Sequence, residues 1–94
     1  MEQNYAYPLD PSWSVAEIET VMAFLNMVEA AYEGGVAAAK VQATYQAFKQ
    51  VVPAKSEEKR LGRDFARASG YQLYEVVQAA LANPQGQVTL TARG

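Results

Sequence analysis

The sequence contains no cysteine and no histidine. The first absence removes disulfide frameworks, thiol redox chemistry and cysteine nucleophiles. The second removes the most frequent transition-metal ligand and the usual general base of nucleophilic catalysis. Together they exclude zinc fingers, haem attachment motifs, Ser-His and Cys-His catalytic pairs, and the Glu-x-x-His pairing of di-metal helical bundles. No stretch approaches the roughly 18 uninterrupted apolar residues of a membrane-spanning helix. The opening Met1-Glu2-Gln3-Asn4-Tyr5 lacks a basic stretch followed by an apolar run, so no secretory signal is expected and the expected location is cytoplasmic. Glycine-rich phosphate loops, nucleophile elbows and zinc motifs are likewise missing.

What remains is 94 residues, half of them hydrophobic, which suffices for one small core. Seventeen residues are alanine, the strongest helix former and a poor contributor of buried area, so the composition leans to helix with a modest core. The formal charge of −2 is unevenly spread: residues 1–50 carry net −4 and residues 51–94 net +2. Two halves that pack together would partly cancel this asymmetry.

Glycines, prolines and capping residues divide the chain. Residues 1–13 form an aromatic, proline-containing lead, Tyr5-Ala6-Tyr7-Pro8-Leu9-Asp10-Pro11-Ser12-Trp13, expected as an extended strap across the helices. Ser14 and Glu17 stand at capping-box spacing, and Trp13 and Ile18 occupy the positions of a hydrophobic staple. They predict a first helix over 15–33, stopped by Gly34-Gly35. Its apolar residues (Ile18, Val21, Met22, Leu25, Val28 and Tyr32, widened by Phe24, Met27 and Ala31) cover more than half its circumference, so it should be packed by more than one neighbour. A second helix over 37–52 has a narrow stripe of Val41, Tyr45, Phe48 and Val52, and Pro53 ends it. The loop of two to four residues between them demands an antiparallel hairpin.

A third helix is predicted over 56–69, with Ser56 as its cap, Leu61, Phe65 and Ala68 as its buried edge, and Gly70 as its stop. A fourth covers 72–82, with Leu73, Val76, Val77, Ala80 and Leu81 on one face, and ends at Asn83-Pro84. Residues 83–94 turn polar and glycine-rich. Gln87–Thr91 alternates weakly like a strand, but no partner strand is evident, so this tail is expected to be mostly disordered or flexible. The expected fold class is all-α: a small four-helix bundle-like array with a strap and a tail.

Three groups of residues deserve weighing as chemistry. Lys55, Lys59, Arg63 and Arg67 recur every four residues, with Arg60 beside them, opposite Leu61 and Phe65. They form either an anion-binding stripe or a solvated helix face neutralised by Asp64, and the acidic balance of the chain favours the second. Glu29 and Glu33 lie one helical turn apart and Glu57 and Glu58 are adjacent, but without histidine or a cleft they read as ordinary surface acids. Six tyrosines and Trp13 suit either core margins or an interface. An interface would be built from the strap (Tyr7, Trp13) and the start of the fourth helix (Tyr71, Tyr74).

The blocks Tyr7-Pro8-Leu9-Asp10, Trp13-Ser14, Glu17-Ile18, Val28-Glu29-x-Ala31-Tyr32-Glu33-x-Gly35-Val36, Tyr45-x-x-Phe48-Lys49-x-Val51-Val52-Pro53-x-Lys55-x-Glu57-Glu58-Lys59 and Ser69-Gly70-Tyr71-x-x-Tyr74 resemble the YktA-like uncharacterised family of low-GC Gram-positive bacteria. The similarity covers about residues 5–82. It implies a small cytosolic all-helical domain. It implies no established activity, substrate or cofactor, so no catalytic residue carries over. Three departures weaken helix starts: Ala54 where a capping serine is expected, Gln72-Leu73 in place of a small hydroxyl residue, and Ala37-Ala38-Ala39 in place of charged residues.

The expected function is therefore non-enzymatic: a protein-interaction or regulatory module with no cofactor and no metal. Its partner is another protein or a second copy of the chain, and no membrane is involved. The rival is an accessory nucleic-acid or ribosome-associated factor using the basic face of the third helix. An enzyme restricted to tyrosine, lysine and carboxylates is the least favoured class.

Overall fold

Four helices form where the punctuation places them. The computed structural model describes residues 7–91, so Tyr5 and the remainder of residues 1–6 and 92–94 lie outside the described part. In chain order the elements are α1 (Val15–Tyr32), β1 (Val36–Ala37), α2 (Ala38–Val51), α3 (Lys55–Ser69), α4 (Leu73–Ala82) and β2 (Gln87–Val88). No helix among them is long and apolar enough to cross a membrane.

The helix starts differ in quality. At α1 the capping box is complete: the Glu17 amide donates to Ser14 Oγ at 3.1 Å, and the Ser14 amide donates to Glu17 Oε1 at 2.9 Å. The starts of α2, α3 and α4 fall on Ala37, Ala54 and Gln72, none of which supplies a side-chain cap. Ser56 does not substitute, because α3 begins one residue before it and Ser56 lies inside the first turn. These three starts rely on packing to offset uncapped amides. The end of α3 is better held: Gly70 takes the left-handed conformation (φ 84°), and its amide donates to the Ala66 carbonyl at 2.7 Å.

The core is one cluster. Val21, Phe24, Leu25, Val28 and Ala31 of α1 meet Val41, Phe48 and Val52 from the α2 stripe. Phe24 lies 4.8 Å from Phe48 and 5.3 Å from Tyr45 between ring centroids. Helix α1 packs on α2, α4 and β1, as its broad apolar circumference requires. On α4, Leu73, Val76 and Ala80 are buried. Leu81, expected to join them, is 59 % exposed. Ala68 of α3 is also exposed, so that helix buries only Leu61 and Phe65. Among the helices, α3 is peripheral. It reaches the rest mainly through α4, the lead, and a tie from Glu58 to α2.

The expectation of a free tail is corrected over residues 83–91. β2 pairs antiparallel with β1, with Val36 opposite Val88 and Ala37 opposite Gln87. Flanking bonds extend the tie: the Ala38 amide donates to the Gly86 carbonyl at 2.9 Å and the Leu90 amide to the Ala31 carbonyl at 2.8 Å. Val88 is only 2 % exposed. The missing partner strand is thus the connection between α1 and α2. Gly35 is required there twice over. Its φ is +119°, and a Cβ would come within 2.8 Å of Thr89 Oγ1.

Candidate functional site

The lead is anchored before it presents anything. The Tyr7 hydroxyl donates to Glu29 Oε2 at 2.9 Å, and its ring stacks on Phe65 at 6.2 Å, which ties α1 to α3. Asp10 Oδ1 accepts from the Ser12 amide at 2.9 Å and the Ser12 hydroxyl at 2.8 Å, while the Trp13 amide donates to the Asp10 carbonyl at 3.0 Å. This is a turn with Pro11 at its first central position, reinforced by the aspartate side chain. The Ser12 amide, then its hydroxyl, hold the Asp10 carboxyl below the usual carboxylate range, with a smaller contribution from the charge of Arg60. The turn runs straight into the Ser14 cap.

Because α3 is peripheral, the anchored lead and α3 leave a groove of about 320 Å³ between them. Pro8, Leu9, Trp13, Val52 and Leu61 form its apolar lining, and Asp10, Glu57, Arg60 and Asp64 its charged one. Three carboxylates face one guanidinium, so the rim carries net negative charge. Trp13, the only tryptophan, is half-buried here. Among the described residues no group of three or more carboxylates comes together in a way that could hold a metal ion.

Of the residues singled out from sequence, Trp13 and Arg60 meet in this groove. The other basic residues do not join them. Lys55, Lys59, Arg63 and Arg67 are exposed along α3, with Arg67 near Asp64 at 3.7 Å and Arg60 near Glu57 at 3.9 Å. Tyr71 is buried and stacked on Tyr32, with centroids 4.5 Å apart and planes 7° from parallel. Tyr74 is 70 % exposed on α4. The aromatic set therefore divides among three places and does not form one patch.

The surface acids of the sequence analysis have a role it missed. Glu29 accepts from Tyr7, Glu33 from Tyr71 at 2.7 Å, and Glu75 from Tyr32 at 3.3 Å. Glu58 accepts from Tyr45 at 2.8 Å and from Lys49 Nζ at 2.6 Å. Four tyrosine–carboxylate pairs thus stitch separate elements together, and the partners stand 13 to 43 residues apart. The signal available in sequence was only an abundance of both residue types. Burial would raise the Glu58 carboxyl, but hydrogen bonds from Lys49 and Tyr45 and the Lys49 and Lys55 charges outweigh it and hold it low.

Two of these pairs keep their phenols protonated, those of Tyr45 and Tyr71. Desolvation and the bond to Glu58 push Tyr45 up to about 12, and the bond to Glu33, with burial, pushes Tyr71 up to about 12. A phenol serving as a general base needs a lowered value, so these tyrosines are structural donors. An unfolded tyrosine titrates near 10, so the stabilisation is complete below that pH and is lost as pH rises from 10 to 12. Both hydrogen bonds are only part-buried, which holds the loss to about 1 kcal/mol each. Urea unfolding across pH 9–12 should show stability falling in that window, with a shallower fall in the Tyr45→Phe/Tyr71→Phe variant. Equal slopes in the two proteins would refute the assignment.

The fold and site define a class: a small all-α domain that carries an acidic-rimmed, tryptophan-containing groove, with four tyrosines holding separate elements together. The chain belongs to the uncharacterised protein family UPF0223, whose family model matches residues 4–89. It is 56 % identical over 90 residues to a UPF0223 protein of Streptococcus pneumoniae serotype 19F (strain G54), covering 96 % of this chain and 98 % of that protein. A UPF0223 protein of Streptococcus sanguinis (strain SK36) is 53 % identical with the same coverage.

Proposed function

We propose that this protein is a non-enzymatic, cytoplasmic protein-interaction module. Its site is the groove between the lead and α3, and its ligand is a basic segment carrying an apolar anchor. One observation carries this: an apolar lining that includes Trp13 lies beneath a rim of Asp10, Glu57 and Asp64 opposed only by Arg60. Such a rim attracts lysine or arginine, and the indole face adds a cation–π contact for the same charge. The apolar lining supplies the burial. The hydrogen-bonded phenols of Tyr45 and Tyr71, held protonated, support binding over catalysis. The cytoplasmic location follows what the family resemblance implies.

A second use has its own observation. Lys55, Lys59 and Arg63 form no ion pair among the described residues, which leaves their charge available to a polyanion. The net charge of −2 and the acidic rim beside them oppose nucleic acid.

Trp13 makes the test direct, since its emission reports the groove alone. Synthetic apolar peptides bearing lysine or arginine should shift or quench it saturably. Peptides of the same apolar sequence bearing glutamate should leave it unchanged, and Asp64→Lys should abolish the response. Silence towards the basic peptides, or a preference for acidic ones, would overturn the proposal. Single-stranded RNA binding that falls steeply with salt, and is lost on Lys59→Glu/Arg63→Glu, would favour the rival.

A further inference from the structure

A second groove of the molecule has a lining without charge. Helices α2 and α4 pack side by side, tied by Gln42 Nε2 donating to the Ala80 carbonyl at 3.0 Å, one of the carbonyls that the end of α4 would otherwise leave unpaired. Between them runs an apolar groove of about 240 Å³ whose lining contains no charged residue. On its α4 side Leu81 stands 59 % exposed, with Tyr74 seven residues earlier at 70 % and Val77 between them half-buried. Spacings of three, four and seven put these on one stripe, the pattern of a helix seam that meets another helix. Nothing within the described chain covers Tyr74 or Leu81. On the α2 side the outward positions are alanine and glutamine: Gln46 and Ala43 are both exposed.

We infer that this face is the contact between two copies of the chain, related by a two-fold axis, with Leu81 of each copy seated in the α2–α4 groove of the other beside Gln46. Three features favour a second copy over an unlike partner. A two-fold axis sets the same patch against itself, so like charges near the axis repel; the groove lining has none in a chain with 18 charged residues, and Lys49 beside it is neutralised by Glu58 at 2.6 Å. Glutamine carries both donor and acceptor, so its amide can pair with another like it. Knob and recess occur on one face, as a self-complementary contact requires. Two helices of 14 and 10 residues present a patch on the order of 20 Å across, at the small end of stable interfaces, so the dimer should depend on concentration. This face is distinct from the acidic-rimmed groove, and the inference does not rest on the proposed function.

Sedimentation equilibrium of the full chain, from micromolar to near-millimolar concentration, should move from the 10.3 kDa monomer towards twice that mass. Leu81→Lys and Gln46→Glu alter exposed side chains, so both should keep the helical circular dichroism while remaining monomeric. Mixing the two variant chains places opposite charges across one of the two Leu81–Gln46 contacts and should restore the dimer as a mixed species. A wild type that stays monomeric throughout would overturn the inference. A dimer that persists in both single variants would also overturn it, since the contact would then lie elsewhere.

Discussion

Phe24→Ala is expected to lower the melting temperature by roughly 15–30 °C. Phe24 is fully buried, with Phe48 and Tyr45 rings 4.8 Å and 5.3 Å away. Truncating such a ring removes its transfer free energy and leaves a cavity whose aromatic walls cannot close it, at a cost of about 3–5 kcal/mol. A domain of this size has about 5–15 kcal/mol in total, and each kcal/mol moves the midpoint by about 4–8 °C. The position is sensitive because α1 is the helix on which α2, α4 and β1 all converge. Circular dichroism melting of the variant, beside Phe24→Leu as a volume-sparing control, checks it. A fall below about 5 °C would show that the α1–α2 contact is not the centre of the core.

Val88→Asp should destabilise the protein by about 3 kcal/mol or more, although the residue lies close to the chain end. Val88 is 2 % exposed and sits opposite Val36 in the β1–β2 pair. A carboxylate there loses its water without gaining a partner, or must be protonated to remain. Thr91→Asp, three residues on and exposed, should leave the midpoint within about 2 °C of wild type. If residues 83–91 were a free tail, both substitutions would be silent, so equal midpoints would remove β2 from the fold. Amide exchange adds an independent reading: the Leu90 amide, bonded to the Ala31 carbonyl at 2.8 Å, should be protected in the wild type and should lose protection in Val88→Asp.

The two variants probe opposite ends of what is legible in the sequence. Phe24 belongs to an apolar circumference that periodicity reveals, and the start of α1 is announced by Ser14 and Glu17. The glycines at 34, 35 and 70 and the prolines at 53 and 84 bracket the helices because they act locally, through φ and the missing amide. Val88 belongs to a two-residue strand, too short for any alternation to register, and its partner strand straddles the expected loop and the first residue of the expected second helix. Leu81 shows a different gap. Periodicity places it on the apolar side of α4 with Val76 and Ala80, but only the packed structure shows that it stands 59 % exposed at the edge of the α2–α4 groove. Ser56 misled for a third reason: a favourable cap residue does not set a helix start when packing begins the helix one residue earlier.

The candidate site was half legible. In the sequence Trp13 suits either a core margin or an interface and Arg60 stands beside a basic stripe, yet 47 residues separate them and no spacing rule links them. They share a groove because Tyr7 is pinned to Glu29 and Phe65, which fixes the lead at a set distance from α3. The tyrosine–carboxylate pairs were invisible for the same reason, since hydrogen bonds across elements depend on how helices are placed.

Local chemistry by itself determined that this chain makes four helices, where each begins and ends to within a residue or two, and that it carries no histidine or cysteine chemistry. Tertiary structure alone decided that Gln87–Val88 closes a small sheet, that four acids hold four phenols, that Trp13 faces an acidic rim, and that Leu81 stays uncovered. The division has a physical cause. Caps, breakers and helical periods act over one or two turns and are written in neighbouring residues, whereas burial, charge environment and pairing depend on which surfaces meet after the chain has turned back on itself.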